Sequence, residues 1–152
     1  MSHPEERLAA MGLNVPDVAK PVAVYVPAVR SGSHVFTSGQ LPMRAGELIR
    51  TGKVGGEVSL EEAVECAQQC ALNAIAAVKS QVGDLDKVVQ VVKVVAFVAS
   101  TPDFTGQPKV ANGASELLGE VFGDAGKHAR SAVGVSVLPL DVPVEVEIIV
   151  EV

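Results

Sequence analysis

The sequence predicts an α+β fold in which two helices cover one face of a β-sheet. Valine and alanine dominate the 152-residue chain, with 29 and 19 copies, whereas there are four Phe, one Tyr and no Trp. β-Branched residues favour strands. A capped amphipathic segment and an almost unbroken valine run add a long helix and a buried strand. We expect a single domain over 1–152, in which residues 1–20 form a leader that docks on the body.

The leader begins with a predicted short helix. Residues His3–Met11 suit a helix because Pro4 stands in the first turn and Gly12 follows the last. Leu8 and Met11 share one side of this helix, so we expect both to face the body.

A β-hairpin and a loop are predicted next. The segments Val22–Val26 and His34–Ser38 form the hairpin, because the glycine within residues 30–33 can adopt the turn. Residues 43–57 are glycine-rich and charged, which is typical of a loop. This loop holds the nearest approach to a basic patch, and we expect its cations to be solvated: Arg44, Arg50 and Lys53.

The long helix has the clearest signals of any element. Ser59 and Glu62 form a capping box at its start, and Gly83 ends it. Cys66 and Cys70 lie four residues apart on one helix face, in poor geometry for a disulfide. We therefore expect a reduced, cytoplasmic protein.

The remaining elements complete the order β-β-α-β-α-β-β. The run Val88–Val98 is apolar on both faces, and a second helix begins at Pro108 or Lys109 and ends at Phe122. Two strands follow, Ser131–Val137 and Val144–Val150. Two helices can cover only one face of the sheet, so the other face of the doubly apolar strand needs a second copy of the chain. We infer a homo-oligomer with the sheets facing inward.

The composition opposes two classes of partner. A net charge of -6 and the scarcity of aromatic residues disfavour nucleic-acid binding, which relies on basic patches and stacking rings. No uncharged apolar run reaches 18 residues, and the polar N-terminus is unlike a signal peptide, so we expect no membrane association.

Candidate chemical groups lie on the last two strands. Arg130 heads an even row of small residues that includes Ala132 and Gly134, while the odd valines are expected to face the core. The small residues leave room for a ligand, and arginine binds planar carboxylates through two parallel hydrogen bonds. Arg130 could equally be a strand-end residue that is exposed to solvent or held in a structural ion pair.

Two further groups could assist such a site. Glu145 lies on the polar face of the last strand, where partial burial would allow it to act as a general base toward water. The alternative is a solvated or ion-paired carboxylate. His128 lies two residues before Arg130 and could donate a hydrogen bond to the same ligand, or could belong to the loop surface. Neither a metal nor a cofactor is expected.

Four motifs occur in order along the chain: Tyr25-Val26, Thr37-Ser38-Gly39-Gln40-Leu41-Pro42, Ala129-Arg130-Ser131 with Leu138-Pro139, and Val144-Glu145-Val146-Glu147. Together they resemble the Rid family, also known as the YjgF family and described as endoribonuclease L-PSP or reactive-intermediate imine deaminases. The resemblance runs from about Tyr25 to the C-terminus. It implies a chorismate-mutase-like sandwich and a homotrimer, with the three sheets forming a barrel-like centre and ligand sites between subunits.

The resemblance also implies a role for each matched residue. Arg130 corresponds to the carboxylate-binding arginine, and Glu145 to a glutamate that positions the attacking water. Tyr25 matches an aromatic residue that lines the site from a neighbouring subunit. The remaining matches border the ligand: Ser38 and Gly39 through their backbone, and Asn112 from the second helix.

Three positions depart from the family pattern. Ala132 stands where deaminating members carry a cysteine, His128 replaces a common proline, and Gly134 replaces a larger polar residue. These features indicate a divergent subgroup. Hydrolysis of an imine needs a positioned water rather than a thiolate, so the absence of the cysteine does not exclude the reaction. The resemblance implies hydrolytic deamination of 2-imino or enamine acids to 2-oxo acids. The alternative is a protein that binds a small carboxylate without turnover. A ribonuclease, suggested by the family's description, is opposed by the acidic charge.

Overall fold

The central feature of the computed structural model, which describes residues 2–20 and 23–152, is a five-stranded sheet. Its strands are β1 Ala28–Ser31, β2 His34–Thr37, β5 Gln90–Ala99, β6 Ala129–Val135 and β7 Val144–Glu151. They lie in the order β1-β2-β7-β5-β6, with β5 and β6 parallel and the other neighbours antiparallel. A separate hairpin contains β3 Met43–Arg44 and β4 Glu47–Leu48.

Two long helices pack side by side on one face of the sheet. They are α2, Leu60–Val82, and α3, Gln107–Phe122. The predicted capping box opens α2, since Ser59 accepts from the backbone of Glu62 and Glu62 accepts from the backbone of Ser59. Gly83 ends the helix with a φ of 78° that suits glycine. The predicted α+β architecture is confirmed.

Strand β7 shows how the sheet separates its two faces. Val144, Val146, Ile148 and Val150 are buried beneath the helices, whereas the alternate residues point to the opposite face and are partly exposed. We call that opposite side the open face. It also carries Phe36 and Val133, each 44% exposed. A single chain therefore leaves a partly apolar surface on its sheet.

Helix α1, His3–Ala10, lies against α3. Leu8 is fully buried, and the Lys79 ammonium donates to the Glu5 carboxylate. That hydrogen bond is the main cause that lowers the pKa of Glu5 to about 2. The expectation that Met11 also faces the body is wrong, because the helix ends before this residue and its side chain is 39% exposed.

The first hairpin is displaced from its predicted position. Residues 23–26 are exposed and lie outside any strand, while Pro21 and Val22 fall outside the described residues. The first strand instead begins at Ala28, opposite Thr37. Pro27 lacks the N–H that would extend the ladder, and this explains why pairing begins after it.

The prediction that residues 43–57 form a loop is wrong in part, because the segment contains the β3–β4 hairpin. Ala45 and Gly46 adopt positive φ values of 54° and 82° between two strands of two residues each. Both values fit the two-residue turn that suits the twist of paired strands.

The predicted orientation of β6 is also wrong. Arg130 and Ala132 lie opposite Val94 and Ala96 of β5, whose side chains are fully buried under the helices. The even row of β6 therefore faces α3. The odd row faces the open face, where Val133 remains exposed rather than forming core. The valines of β6 alternate as core residues do, so the sequence pattern favours as core the face that a single chain leaves open.

Two further findings concern the protein as a whole. No helix within 2–20 and 23–152 is long and apolar enough to cross a membrane. Cys66 and Cys70 are free and buried, and burial raises the pKa of the Cys66 thiol to about 12. Neither thiol is therefore a reactive thiolate at neutral pH.

Candidate functional site

Arg130 is held by polar side chains of α3. Its Nη1 donates to Asn112 Oδ1 at 2.8 Å and to Ser115 Oγ at 3.2 Å. Asn112 and Ser115 are three residues apart, so both project from the same side of the helix toward the edge strand β6. Both acceptors are neutral, and no carboxylate pairs with Arg130 in the described part of the chain. The positive charge of Arg130 therefore remains available to an anionic ligand.

His128 extends this cluster. Its Nε2 lies 2.9 Å from Ser115 Oγ, and its Nδ1 lies 2.6 Å from the Gly126 carbonyl oxygen. The carbonyl can only accept, so Nδ1 must carry a hydrogen. The structure thus brings together Arg130, Asn112 and His128, three of the predicted residues. Sequence reasoning missed Ser115, although its spacing of three from Asn112 was a usable signal.

The row of small residues opens into a cavity at its far end. Ala132 packs against the core, whereas Gly134 borders a cavity of about 560 Å³ that Ser100 and Gln107 also line. A Cβ on Gly134 would come within 2.8 Å of Gln107 Nε2. The open volume predicted beside Arg130 therefore lies at the Gly134 end of the strand, under the start of α3.

Glu145 lies on the open face of β7 against the backbone of Gly39. A Cβ at position 39 would come within 2.7 Å of Glu145 Cδ, so any larger residue there would displace this carboxyl group. Burial is the main cause that raises the pKa of Glu145, and the neighbouring Glu147 carboxylate adds to it. A half-buried carboxylate with a raised pKa suits a general base.

Tyr25 and Ser38 lie beside Gly39 in the wall of a small cavity of about 50 Å³. The Ser38 hydroxyl donates to the Val26 carbonyl oxygen at 2.6 Å, and the Ser38 N–H donates to the Pro27 carbonyl oxygen at 2.8 Å. These bonds hold the segment that carries Tyr25 against the end of β2. Tyr25 is 49% exposed. Tyr25, Ser38 and Gly39 share the wall of this cavity, and Gly39 is the member that lies against Glu145.

The two groups lie on opposite faces of the sheet. Arg130 pairs with Val94, which points to the helices, and Glu145 pairs with Phe97, which points to the open face. Within one chain they cannot act on the same small ligand. We therefore describe them as two half-sites: the arginine half-site (Asn112, Ser115, His128, Arg130) and the glutamate half-site (Tyr25, Ser38, Gly39, Glu145).

No metal centre is formed by either half-site. Among residues 2–20 and 23–152, no three His, Cys, Asp or Glu side chains are grouped closely enough to hold a metal ion.

Comparison with known families identifies the chain. Residues 5–152 match the family described as "YjgF/chorismate_mutase-like, putative endoribonuclease". The chain belongs to the YjgF family. This YjgF-family chain is 43% identical over 145 residues to Protein TCP17 of Trypanosoma cruzi, covering 95% of the chain and 91% of that protein.

Two other similar proteins bear on fold and activity. The crystal structure of Atu1372 from Agrobacterium tumefaciens, described as having unknown function, shares 44% identity and a TM-score of 0.93, covering 99% of this chain and 93% of that one. A 2-iminobutanoate/2-iminopropanoate deaminase of Dermatophagoides farinae is 33% identical over 140 residues, covering 91% of this YjgF-family chain and 93% of that protein.

Proposed function

We propose that the protein hydrolyses 2-imino or enamine acids to 2-oxo acids and ammonia, in a cleft formed between two copies of the chain. One observation carries the proposal. A carboxylate receptor, Arg130, and a candidate general base, Glu145, lie on opposite faces of one sheet. Each half-site is incomplete by itself, and only a second copy could supply the other half.

The proposed chemistry needs few groups because the imine carbon is already electrophilic. Arg130 binds the substrate carboxylate and fixes the imine carbon near a water held by Glu145. The water oxygen attacks that carbon as Glu145 takes a proton from the water, and the electron pair of the C=N bond moves to nitrogen, which takes up a proton from solvent. The C–N bond of the resulting carbinolamine then breaks, and its electron pair goes to nitrogen, which takes the proton held by Glu145 and leaves as ammonia. The hydroxyl oxygen releases its proton to solvent and becomes the carbonyl oxygen of the 2-oxo acid.

The open face supports an assembly of copies. Phe36 and Val133 expose apolar surface there, and burying it against further copies would stabilise the oligomer by about 25 cal/mol per Å². We propose a homotrimer with the open faces inward. In that arrangement the edge strand β6, with its arginine half-site, approaches the Tyr25 wall of a neighbouring copy.

The name of the Dermatophagoides farinae relative supports deamination rather than RNA cleavage. RNA binding would need unpaired cations along the surface. Here the cations of the glycine-rich segment are neutralised by carboxylates in three ion pairs: Arg44 with Glu65, Arg50 with Glu62, and Lys53 with Asp141. Together with the net charge of -6, this opposes a ribonuclease.

Release of ammonia from enzymatically generated 2-iminobutanoate tests the proposal. We expect the wild-type protein to accelerate release and Arg130→Ala to lower kcat/KM by about 100-fold, because a charge-assisted pair of hydrogen bonds is lost. Equal rates for the two proteins would contradict the site. Binding of 2-oxobutanoate without any ammonia release would instead identify a carboxylate-binding protein.

A further inference from the structure

We propose that Ser115 and His128 are positioning residues that orient the Arg130 guanidinium, so that its Nε–Nη2 edge receives the ligand carboxylate. This inference rests on the proposed role of Arg130 as carboxylate receptor. It assigns to Ser115 and His128 a task that they perform through Arg130.

One nitrogen of the Arg130 guanidinium is fully occupied by helix α3, and the other two are free of hydrogen bonds within the described residues. Nη1 carries two hydrogens, and both are used, one toward Asn112 Oδ1 and one toward Ser115 Oγ. Nε and Nη2 make no hydrogen bond to any residue of 2–20 and 23–152. These two nitrogens form the side-on fork of arginine, whose two parallel N–H groups match the two oxygens of a carboxylate.

The hydrogen bonds from Arg130 through Ser115 and His128 all point in one direction. With Nδ1–H donating to the Gly126 carbonyl, the neutral ring of His128 offers Nε2 as an acceptor. The Ser115 hydroxyl therefore donates its single hydrogen to His128 and accepts from Arg130. The series runs one way, from Arg130 through Ser115 and His128 to Gly126. Each bond polarises the next, which strengthens the hold on Nη1.

This series of hydrogen bonds restricts the rotation of the Arg130 guanidinium. Asn112 alone would leave the guanidinium one anchor, about which it could rotate. Ser115 supplies a second anchor on the same nitrogen and so fixes the plane of the group. His128 in turn fixes the Ser115 hydroxyl, which would otherwise rotate freely toward solvent or the helix backbone.

The test measures the dissociation constant of 2-oxobutanoate by calorimetry. We expect Ser115→Ala and His128→Ala each to weaken binding about fivefold, because an anchor of a charged group is lost. His128→Gln should bind within about twofold of wild type, since its amide oxygen can still accept from Ser115. Ser80→Ala is the matched control: Ser80 is an exposed helix serine whose hydroxyl donates to a carbonyl of α2, and its loss should leave binding unchanged.

Steady-state kinetics with 2-iminobutanoate provide a readout that general destabilisation would not give. Orientation of the carboxylate helps ground state and transition state alike, so Ser115→Ala should raise KM about fivefold and leave kcat within about twofold.

Nitrogen NMR of wild type should show His128 protonated at Nδ1 and unprotonated at Nε2. Melting curves establish that each variant is folded, and His128→Ala tests the series even where Ser115→Ala fails to fold.

The outcomes separate this inference from the function on which it rests. Loss of binding in Arg130→Ala, with Ser115→Ala and His128→Ala both within about twofold of wild type, would overturn the positioning role and leave the proposed function intact. Unchanged binding in Arg130→Ala would overturn both. A His128 ring protonated at Nε2 alone would contradict the direction of the series.

Discussion

Glu145 is a half-buried carboxyl group that lies against the backbone of Gly39 and near the carboxylate of Glu147. Burial and like charge both disfavour its ionised form, so the ionised carboxylate lowers the free energy of unfolding. Such a group is typical of sites where a base must take up a proton. At the scale of the residue, Glu145 is the clearest candidate for a functional group, because its ionised form lowers the stability of the fold.

The raised pKa of Glu145 predicts how the melting temperature of Glu145→Gln depends on pH. Because the pKa of Glu145 is raised above its usual value of 4.5, the folded state binds more protons than the unfolded state as pH rises above that value. The carboxylate therefore lowers the free energy of unfolding at neutral pH and not below pH 4.5. We expect Glu145→Gln to melt at a higher temperature than wild type at pH 7 and at an equal temperature in acid. A lower melting temperature at pH 7 would contradict the cause assigned to the shift.

The same substitution should remove the base. We expect kcat for ammonia release to fall about 100-fold, the scale of one general base. In wild type, kcat should decline as the solution is acidified through the raised pKa of Glu145.

Gly39 predicts a second effect on the same carboxyl group. In Gly39→Ala the new Cβ would overlap the Glu145 carboxyl, which is the movable end of a side chain, so the chain should still fold. We expect kcat to fall by about tenfold through misplacement of the base. A double-mutant cycle checks the cause, because Gly39→Ala should add almost nothing to Glu145→Gln. Additive losses would show that Gly39 acts independently of Glu145.

At the scale of elements, α2 and α3 can pack closely because small residues lie where they meet. A Cβ on Gly113 of α3 would come within 2.2 Å of the Val64 carbonyl oxygen of α2, and backbone cannot move aside cheaply. This contact places α3, and with it Asn112 and Ser115, over the edge strand. The geometry of the arginine half-site is therefore set in part by one glycine on the far side of its helix.

Two glycines of α3 allow a matched comparison of stability. Gly113→Ala should lower the free energy of unfolding by about 2–3 kcal/mol through overpacking. Gly119→Ala meets no atom within 4 Å and should raise it by about 0.5–1 kcal/mol through helix propensity. Urea denaturation of the two variants measures both values. Equal effects would contradict the close crossing of the helices.

Element boundaries were predictable where a local signal exists. The capping box of Ser59 and Glu62 and the terminal glycines place α2 and the end of α3 almost to the residue. The first strand was displaced because apolar residues 23–26 resemble a strand but precede Pro27. The β3–β4 hairpin was missed because strands of two residues are too short to show a period.

At the scale of the whole molecule, the sequence offers candidate chemical groups but not their arrangement. Arg130, Glu145 and Tyr25 are candidates on residue type and resemblance. The opposite facing of Arg130 and Glu145 does not follow from the sequence, because the alternating valines of β6 resemble core residues and yet lie on the open face. Val133 looks like core in the sequence and is exposed in one chain. In the proposed oligomer a second copy covers the open face and buries Val133, which accounts for this discrepancy.

Complementation between two inactive variants tests the central claim most directly. Arg130→Ala lacks the arginine half-site, and Glu145→Gln lacks the base of the glutamate half-site. In a co-expressed, evenly mixed cyclic oligomer, about one quarter of the clefts would combine an intact Arg130 from one copy with an intact Glu145 from another. We predict that the mixture regains about that fraction of wild-type ammonia release. Activity no greater than that of the two variants assembled separately would contradict a site shared between copies.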